Sequence, residues 1–193
     1  MNVRDPFAWF QAWLQDAERS EPANPSAMSV ATVTADGRPA VRMVLLRGVD
    51  ARGFVFYTNL DSHKGAELRA NAHAALCFYW KSLGRQVRVE GATSLVSATE
   101  ADAYFQSRPR DSQIGAWASL QSQILESRAV LEQSVAQFTA QFGTGMIPRP
   151  LCWSGFRVEP VSFEFWEERP YRLHDRTSYR RDGAQWAVTK LYP

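Results

Sequence analysis

Ser29-Val30-Ala31-Thr32-Val33-Thr34, Ala35-Asp36-Gly37-Arg38 and Val41-Arg42-Met43-Val44-Leu45-Leu46 together read as a β-hairpin. Two β-branched, apolar runs flank a tetrapeptide whose Asp-Gly pair tolerates the backbone of a tight turn. The same grammar recurs downstream. Asp50 to Gly53 supplies a turn before Phe54-Val55-Phe56-Tyr57-Thr58-Asn59, and Ala74 to Trp80 leads through Ser82-Leu83-Gly84 into a strand from Gln86 to Leu95. The last quarter is predicted as strands over 153–158, 162–166 and 171–179, then a turn at Asp182-Gly183 and a strand ending at Leu191. Short strands joined by tight turns predict an antiparallel β-barrel. The fold class expected is mainly β with flanking helices (α+β).

Helices punctuate this pattern. Asp5 before Pro6 is a side-chain cap followed by proline at the first helical position. Phe10, Trp13, Leu14 and Ala17 follow at helical spacing, so a helix is predicted over about residues 6–20, ended by Pro22 and Pro25. A short helix is expected from near Ser62, and the capping box Ser97-Ala98-Thr99-Glu100 starts another that runs towards Pro109. Ile124, Val130, Leu131, Val135 and Phe138 predict a helix over 122–142, closed by Gly143 and Gly145.

At 193 residues the chain is expected to form one domain over 1–193, large enough for a core without disulfides. Its net charge of +2 lacks the dense basic run of a nucleic-acid binder, so no nucleic-acid partner is expected. Cys77 and Cys152 form no C-x-x-C pair, and both read as small buried hydrophobes. No metal site is expected. The start Met1-Asn2-Val3-Arg4 has no apolar signal core and no segment is long enough to span a bilayer, so a cytoplasmic protein is expected. A G-x-G-x-x-G turn and βαβ alternation are both missing, so any cofactor must be held by strands and loops.

Four clusters carry chemistry. In Arg172-Leu173-His174-Asp175-Arg176, strand alternation would put Arg172, His174 and Arg176 on one face. Such a face is either solvated or close to an anion. The aromatic run Phe163-Glu164-Phe165-Trp166 favours the second, as a wall for a flat phosphorylated ring. Arg42 and Arg47 bracket an apolar strand with opposite parity, which fits either a ligand site near each face or two surface strand ends. Tyr57-Thr58-Asn59 runs into Asp61-Ser62-His63-Lys64-Gly65, where a helix start and a lysine favour an anion. Tyr104 and Arg108, four apart, share a helix face and with Ser112 could clamp a phosphate; the alternative is a basic helix end satisfying its own carbonyls.

In order and over nearly the whole chain, these segments resemble the pyridoxine/pyridoxamine 5′-phosphate oxidase family. The most specific matches are Ser107-Arg108-Pro109-Arg110-Asp111-Ser112-Gln113-Ile114-Gly115-Ala116-Trp117, then Gln121-Ser122, then Phe165-Trp166 with Arg172 to Arg176. The resemblance implies an FMN-binding split β-barrel, with the strands of about 152–193 completing the barrel and the dimer site. It implies a homodimer with FMN at the subunit interface. Carried over by position, Arg42, His63, Lys64, Gln121 and Ser122 would hold the flavin phosphate and ribityl chain. Met43, Val44, Leu45, Leu46, Arg47, Tyr57, Thr58, Gln86, Trp166 and Arg176 would complete the flavin site. The substrate would be held by Arg47, Tyr104, Arg108 and Ser112 at its phosphate, and by Arg172, Leu173 and His174 at the ring. Arg172 and His174 are the implied catalytic pair.

The implied reaction oxidises pyridoxamine or pyridoxine 5′-phosphate to pyridoxal 5′-phosphate. A hydride passes to the flavin, O2 takes the electrons as H2O2, and the amine also releases ammonia. The flavin carries that step while the protein binds and orients. Two relatives of this reading are a phenazine-type flavin oxidase or flavin reductase on the same barrel, and a non-catalytic flavin- or B6-binding protein. Against the family pattern, Arg47 stands where Lys is usual and His63 where Arg is common. The longer N-terminal arm found in some members is also expected to be missing.

Overall fold

The computed structural model describes residues 5–193; the readings made on Met1 to Arg4 lie outside the described residues. The first element is α1 (Pro6–Ser20), whose N-terminus Asp5 caps by accepting a 2.9 Å bond from the Ala8 N–H. The hairpin of the opening stretch is β1 (Ala27–Val33) and β2 (Pro39–Leu45), closed by Thr34 and Arg38. Next come β3 (Gly48–Asp50), β4 (Gly53–Asn59), α2 (His63–Ala70), β5 (His73–Trp80) and β6 (Arg85–Leu95). Three helices follow, α3 (Ala98–Ser107), α4 (Arg110–Ala118) and α5 (Arg128–Phe142), and then β7 (Trp153–Glu167), β8 (Asp175–Asp182) and β9 (Gln185–Leu191).

All pairings are antiparallel, and the strands run in the order β2-β1-β5-β6-β7-β4-β3. β7 is the spine. Its first half pairs with β4 and its second half with β8, while β6 follows it throughout. The register shifts between Glu90 and Gly91, opposite Pro160. A proline lacks the N–H that a ladder needs, so the sheet bends and divides there. The result is a curled half-barrel with flanking helices.

α1 plugs the concave side. Phe10 is fully buried against Phe54 and Phe78, and Trp9 stacks on Phe165 at 4.2 Å and 9°. Phe163 and Phe165 also point into this core, so only Trp166 of the expected aromatic wall faces outward. Period-two alternation sends residues 163 and 165 to one side and 164 and 166 to the other.

Other departures have physical causes. The two strands expected over 153–158 and 162–166 are one, because a bulge at Val161 takes up the break at Pro160 and β7 continues through it. Residues 122–127 are not helical: Ser122 has φ +76° and Ser127 caps α5 instead. Residues 110–118, left without an assignment by the sequence, are a helix because Pro109 ends α3 and occupies the cap position of α4. Cys77 and Cys152 are half-buried free thiols, not core residues. No helix among the described residues is long and apolar enough to cross a membrane.

Candidate active site

A cleft of about 470 Å³ opens between the end of β2, the end of β4, the start of α2 and α4. Met43, Val44, Leu45, Arg47, Tyr57, Thr58, Lys64, Tyr104, Arg108, Ser112 and Gln121, all singled out from the sequence, line it. Its size is in the range of small-molecule and cofactor sites.

One end is built on α2. Ser62 caps the helix, its Oγ accepting from the Gly65 N–H at 3.3 Å, and this leaves Lys64 in the first turn. Lys64 Nζ donates to Gln121 Oε1 at 2.8 Å, and Thr58 Oγ1 reaches the same oxygen at 3.3 Å. The His63 N–H donates to Ser122 Oγ at 3.4 Å, which draws the left-handed Gln121-Ser122 corner onto the helix start. Burial, with Arg42 nearby, holds the Lys64 ammonium below its usual value. Beneath lies Arg42, whose guanidinium bonds Thr32 Oγ1 and Glu67 Oε2, the latter at 2.8 Å. Burial raises the Glu67 carboxyl, but the Thr32 and Arg42 bonds outweigh it and the net shift is downward. Arg42 is therefore an anchor under the cleft and not part of its lining. Gly65 has a packing reason: a Cβ there would stand 2.2 Å from the Leu60 carbonyl oxygen.

The other end belongs to the α3–α4 corner. Arg108 caps α3 and Ser112 sits in the first turn of α4, so the Pro109 break brings the two together. The Arg108 guanidinium lies over the Trp153 ring at 4.7 Å. Its Nη1 is buried without a hydrogen-bond partner. Burial, with Arg47 alongside, makes the guanidinium less basic than usual. A buried cationic N–H without an acceptor requires an explanation, and an anionic ligand supplies one.

Between the ends lies an aromatic wall of different make-up from the one expected. Tyr57 stacks on Tyr104 at 4.0 Å and on Trp153 at 5.2 Å. Burial pushes the Tyr57 phenol up, with Glu100 contributing. Asn59, from the Tyr57-Thr58-Asn59 cluster, also lines the cleft, with Gly115 and Ala116 of the Ser107–Trp117 motif; Trp153 and Ser119 line it and were not foreseen. Trp153 had a signal, a tryptophan just beyond Pro148 and Pro150 at a strand start, but its meeting with Tyr57 depends on β4–β7 register.

The remaining candidates form a second group. Gln86, Trp166 and Arg176 are cross-strand partners on β6, β7 and β8. His174 packs on Trp166, ring centroids 4.5 Å apart. Arg176 is bidentate to Glu164 at 2.9 and 3.0 Å and also donates to the Tyr192 carbonyl at 2.9 Å. The expectation that Arg172, His174 and Arg176 share one strand face is corrected. β8 begins only at Asp175; Pro170 to Arg172 form a 3₁₀ turn in which Tyr171 and Arg172 are left-handed at φ +59° and +60°. Each such residue costs about 1–2 kcal/mol, and alternation does not apply there. Arg172 and Leu173 are exposed, and Leu46 is buried in the core.

The two groups are far apart along β7. Gly155 pairs with Tyr57 at the cleft and Trp166 with Arg176; eleven residues at roughly 3.3 Å each is up to about 36 Å. The cleft lining includes none of Gln86, Trp166, Arg172, His174 or Arg176.

Residues 14–142 match the family model described as pyridoxamine 5′-phosphate oxidase, and residues 153–193 match the pyridoxine 5′-phosphate oxidase C-terminal dimerisation region. The chain belongs to the pyridoxine/pyridoxamine 5′-phosphate oxidase family. A family member of that name from Gluconobacter oxydans is 61% identical over 189 residues, spanning 98% of this chain and 94% of its own. Another, from Rhodospirillum rubrum, is 60% identical over 195 residues, spanning 98% and 97%. Among solved structures, PhzG from Burkholderia lata in complex with tetrahydrophenazine-1-carboxylic acid superimposes with a TM-score of 0.93 at 34% identity, covering 100% of this chain and 94% of that one. A pyridoxamine 5′-phosphate oxidase-related, FMN binding protein from Nostoc punctiforme shares the fold at 19% identity, with a TM-score of 0.79 over 99% of this chain and 100% of its own. The split-barrel expectation is thereby met.

Proposed function

We propose that this chain is an FMN-dependent oxidase that converts pyridoxamine and pyridoxine 5′-phosphates to pyridoxal 5′-phosphate in a homodimer. The observation that carries this reading is the unpartnered, buried Arg108 N–H at one end of a cleft whose other end is Lys64. Two cationic ends with stacked rings between them suit two phosphorylated aromatic molecules, cofactor and substrate. Relatives about 60% identical over the whole chain carry the oxidase name, which favours this over the phenazine-type reading suggested by PhzG.

The donor set fits FMN. Lys64, Gln121, Ser122 and the α2 N-terminus would hold its phosphate, with Arg42 fixing the ground beneath them. Met43 to Leu45, Tyr57 and Thr58 would line the flavin from one protomer. Gln86, Trp166 and Arg176, which lie too far along β7, would come from the partner across the dimerisation region. Arg108, Arg47, Tyr104 and Ser112 would hold the substrate phosphate. Arg172 and His174 would cover its ring, Arg172 orienting it against the cofactor and His174 donating a positioning hydrogen bond. Bound there, FMN supplies the two-electron acceptor whose reoxidation by O2 gives H2O2.

The decisive experiment uses purified holoenzyme. Pyridoxine 5′-phosphate should bleach the flavin absorption without oxygen, and with oxygen should give pyridoxal 5′-phosphate and H2O2 in equal amounts. Bound flavin that no B6 phosphate bleaches would overturn the reading and favour a binding protein.

Packing at Gly65 gives a further check. In Gly65→Ala the Cβ meets the Leu60 backbone, so the α2 start must shift and carry Lys64 with it. Overpacking of this kind costs about 1–3 kcal/mol. Flavin content measured by absorbance should fall, accompanied by a lower melting temperature.

A further inference from the structure

The link between β7 and β8 contains a clasp. Its 3₁₀ turn is closed by the Leu173 N–H on the Pro170 carbonyl at 3.2 Å, and it carries two consecutive left-handed residues, Tyr171 and Arg172. Side-chain-bearing residues seldom hold that conformation unless their surroundings impose it. Arg169 supplies such a restraint. Its Nε donates to Asp175 at 2.6 Å and its Nη2 to Glu167 at 2.7 Å, so one guanidinium ties the two ends of the loop. Glu167 is held in turn by Arg85 at 3.0 Å, and Arg85 by Asp16 of α1 at 2.9 Å. The loop is thus braced against the N-terminal helix.

The backbone of the same residue meets the imidazole. The Arg169 N–H donates to His174 Nδ1 at 3.2 Å. A donor needs a lone pair opposite it, so Nδ1 is the acceptor in this bond and the ring's N–H is Nε2–H. With Trp166 packed beside the ring, His174 offers Nε2–H as a donor in a set direction.

We propose that Arg169 is a positioning residue, which clasps Glu167 and Asp175 across this loop and so aims His174 at the substrate. The inference rests on the functional reading above, in which His174 touches substrate. Arg169 itself is exposed and braces the loop from outside.

The test is a double-mutant cycle on the holoenzyme, following anaerobic flavin reduction by pyridoxine 5′-phosphate in wild type, Arg169→Ala, His174→Ala and the double variant. Arg169→Ala is expected to slow reduction about five-fold, with flavin content and melting temperature nearly unchanged because exposed ion pairs add little stability. In the His174→Ala background the same change should cost less than about two-fold, since the residue acts through that ring. Arg169→Lys should recover part of the rate by keeping one of the two ion pairs. An undiminished rate in Arg169→Ala, or the same five-fold loss in both backgrounds, would overturn the proposal. If the functional reading fails instead, the signature differs: His174→Ala is reduced as fast as wild type, or wild type is not reduced at all, and both claims fall together.

Discussion

Arg172→Ala is expected to cut turnover by about 100-fold or more while the protein stays fully loaded with flavin. The guanidinium is exposed on a strained turn, outside the cleft of its own protomer, and holds no structural ion pair among the hydrogen bonds of the described residues. Its removal therefore leaves the fold and the flavin pocket alone. What would be lost is the group proposed to orient the substrate ring against the flavin, and misplacing a reacting centre by about 1 Å can cost about 10²-fold in rate. Arg176→Ala should behave in the opposite way. That side chain is bidentate to Glu164, one strand from Trp166, so deletion leaves that carboxylate with only the longer 3.6 Å contact to Arg88 beside the proposed flavin edge. Flavin should then be lost on gel filtration. Equal flavin retention in the two variants, measured by absorbance ratio, would contradict this division of labour.

The second large effect is expected at Arg108. Arg108→Ala should raise the KM for pyridoxine 5′-phosphate by about 30–100-fold, with flavin content unchanged. A charge-assisted bond to a buried phosphate is worth about 1.5–3 kcal/mol, and the upper-middle part of that span, about 2–2.7 kcal/mol, converts to this range. Arg108→Lys should recover only part of the loss: a lysine keeps the charge but not the planar stacking on Trp153 nor the forked donors. Steady-state kinetics decide it. A KM within about two-fold of wild type would show that the substrate phosphate is held elsewhere.

Which parts of this were legible in the sequence follows from the range of the forces involved. Helix starts were readable because caps are local: Asp5 before Pro6 and Ser97 before Glu100 act over three residues, and both cap as expected. The β1–β2 hairpin was equally local. The aromatic wall was misplaced because alternation says only that Phe163 and Phe165 share a side, not that α1 fills that side with Trp9. Tyr57, Tyr104 and Trp153 come together through β4–β7 register and the seating of α3, information spread over nearly a hundred residues. The Arg172 segment failed as a strand for a local reason that was visible: Pro170 withholds a ladder N–H, and β8 starts only beyond it. Arg108 and Ser112 met because Pro109 starts a new helix, where the sequence alone marked only a break.

The length of β7 has one more consequence. If, as proposed, each site joins the cleft of one protomer to the Arg172 turn of its partner, a defect in the cleft and a defect in the turn of one protomer fall in different sites. A mixed dimer of one Arg108→Ala protomer and one Arg172→Ala protomer would place both lesions in a single site and leave the other site whole. Two impaired parents would thus produce a dimer with one intact site, a form of complementation that a site housed within one protomer does not allow.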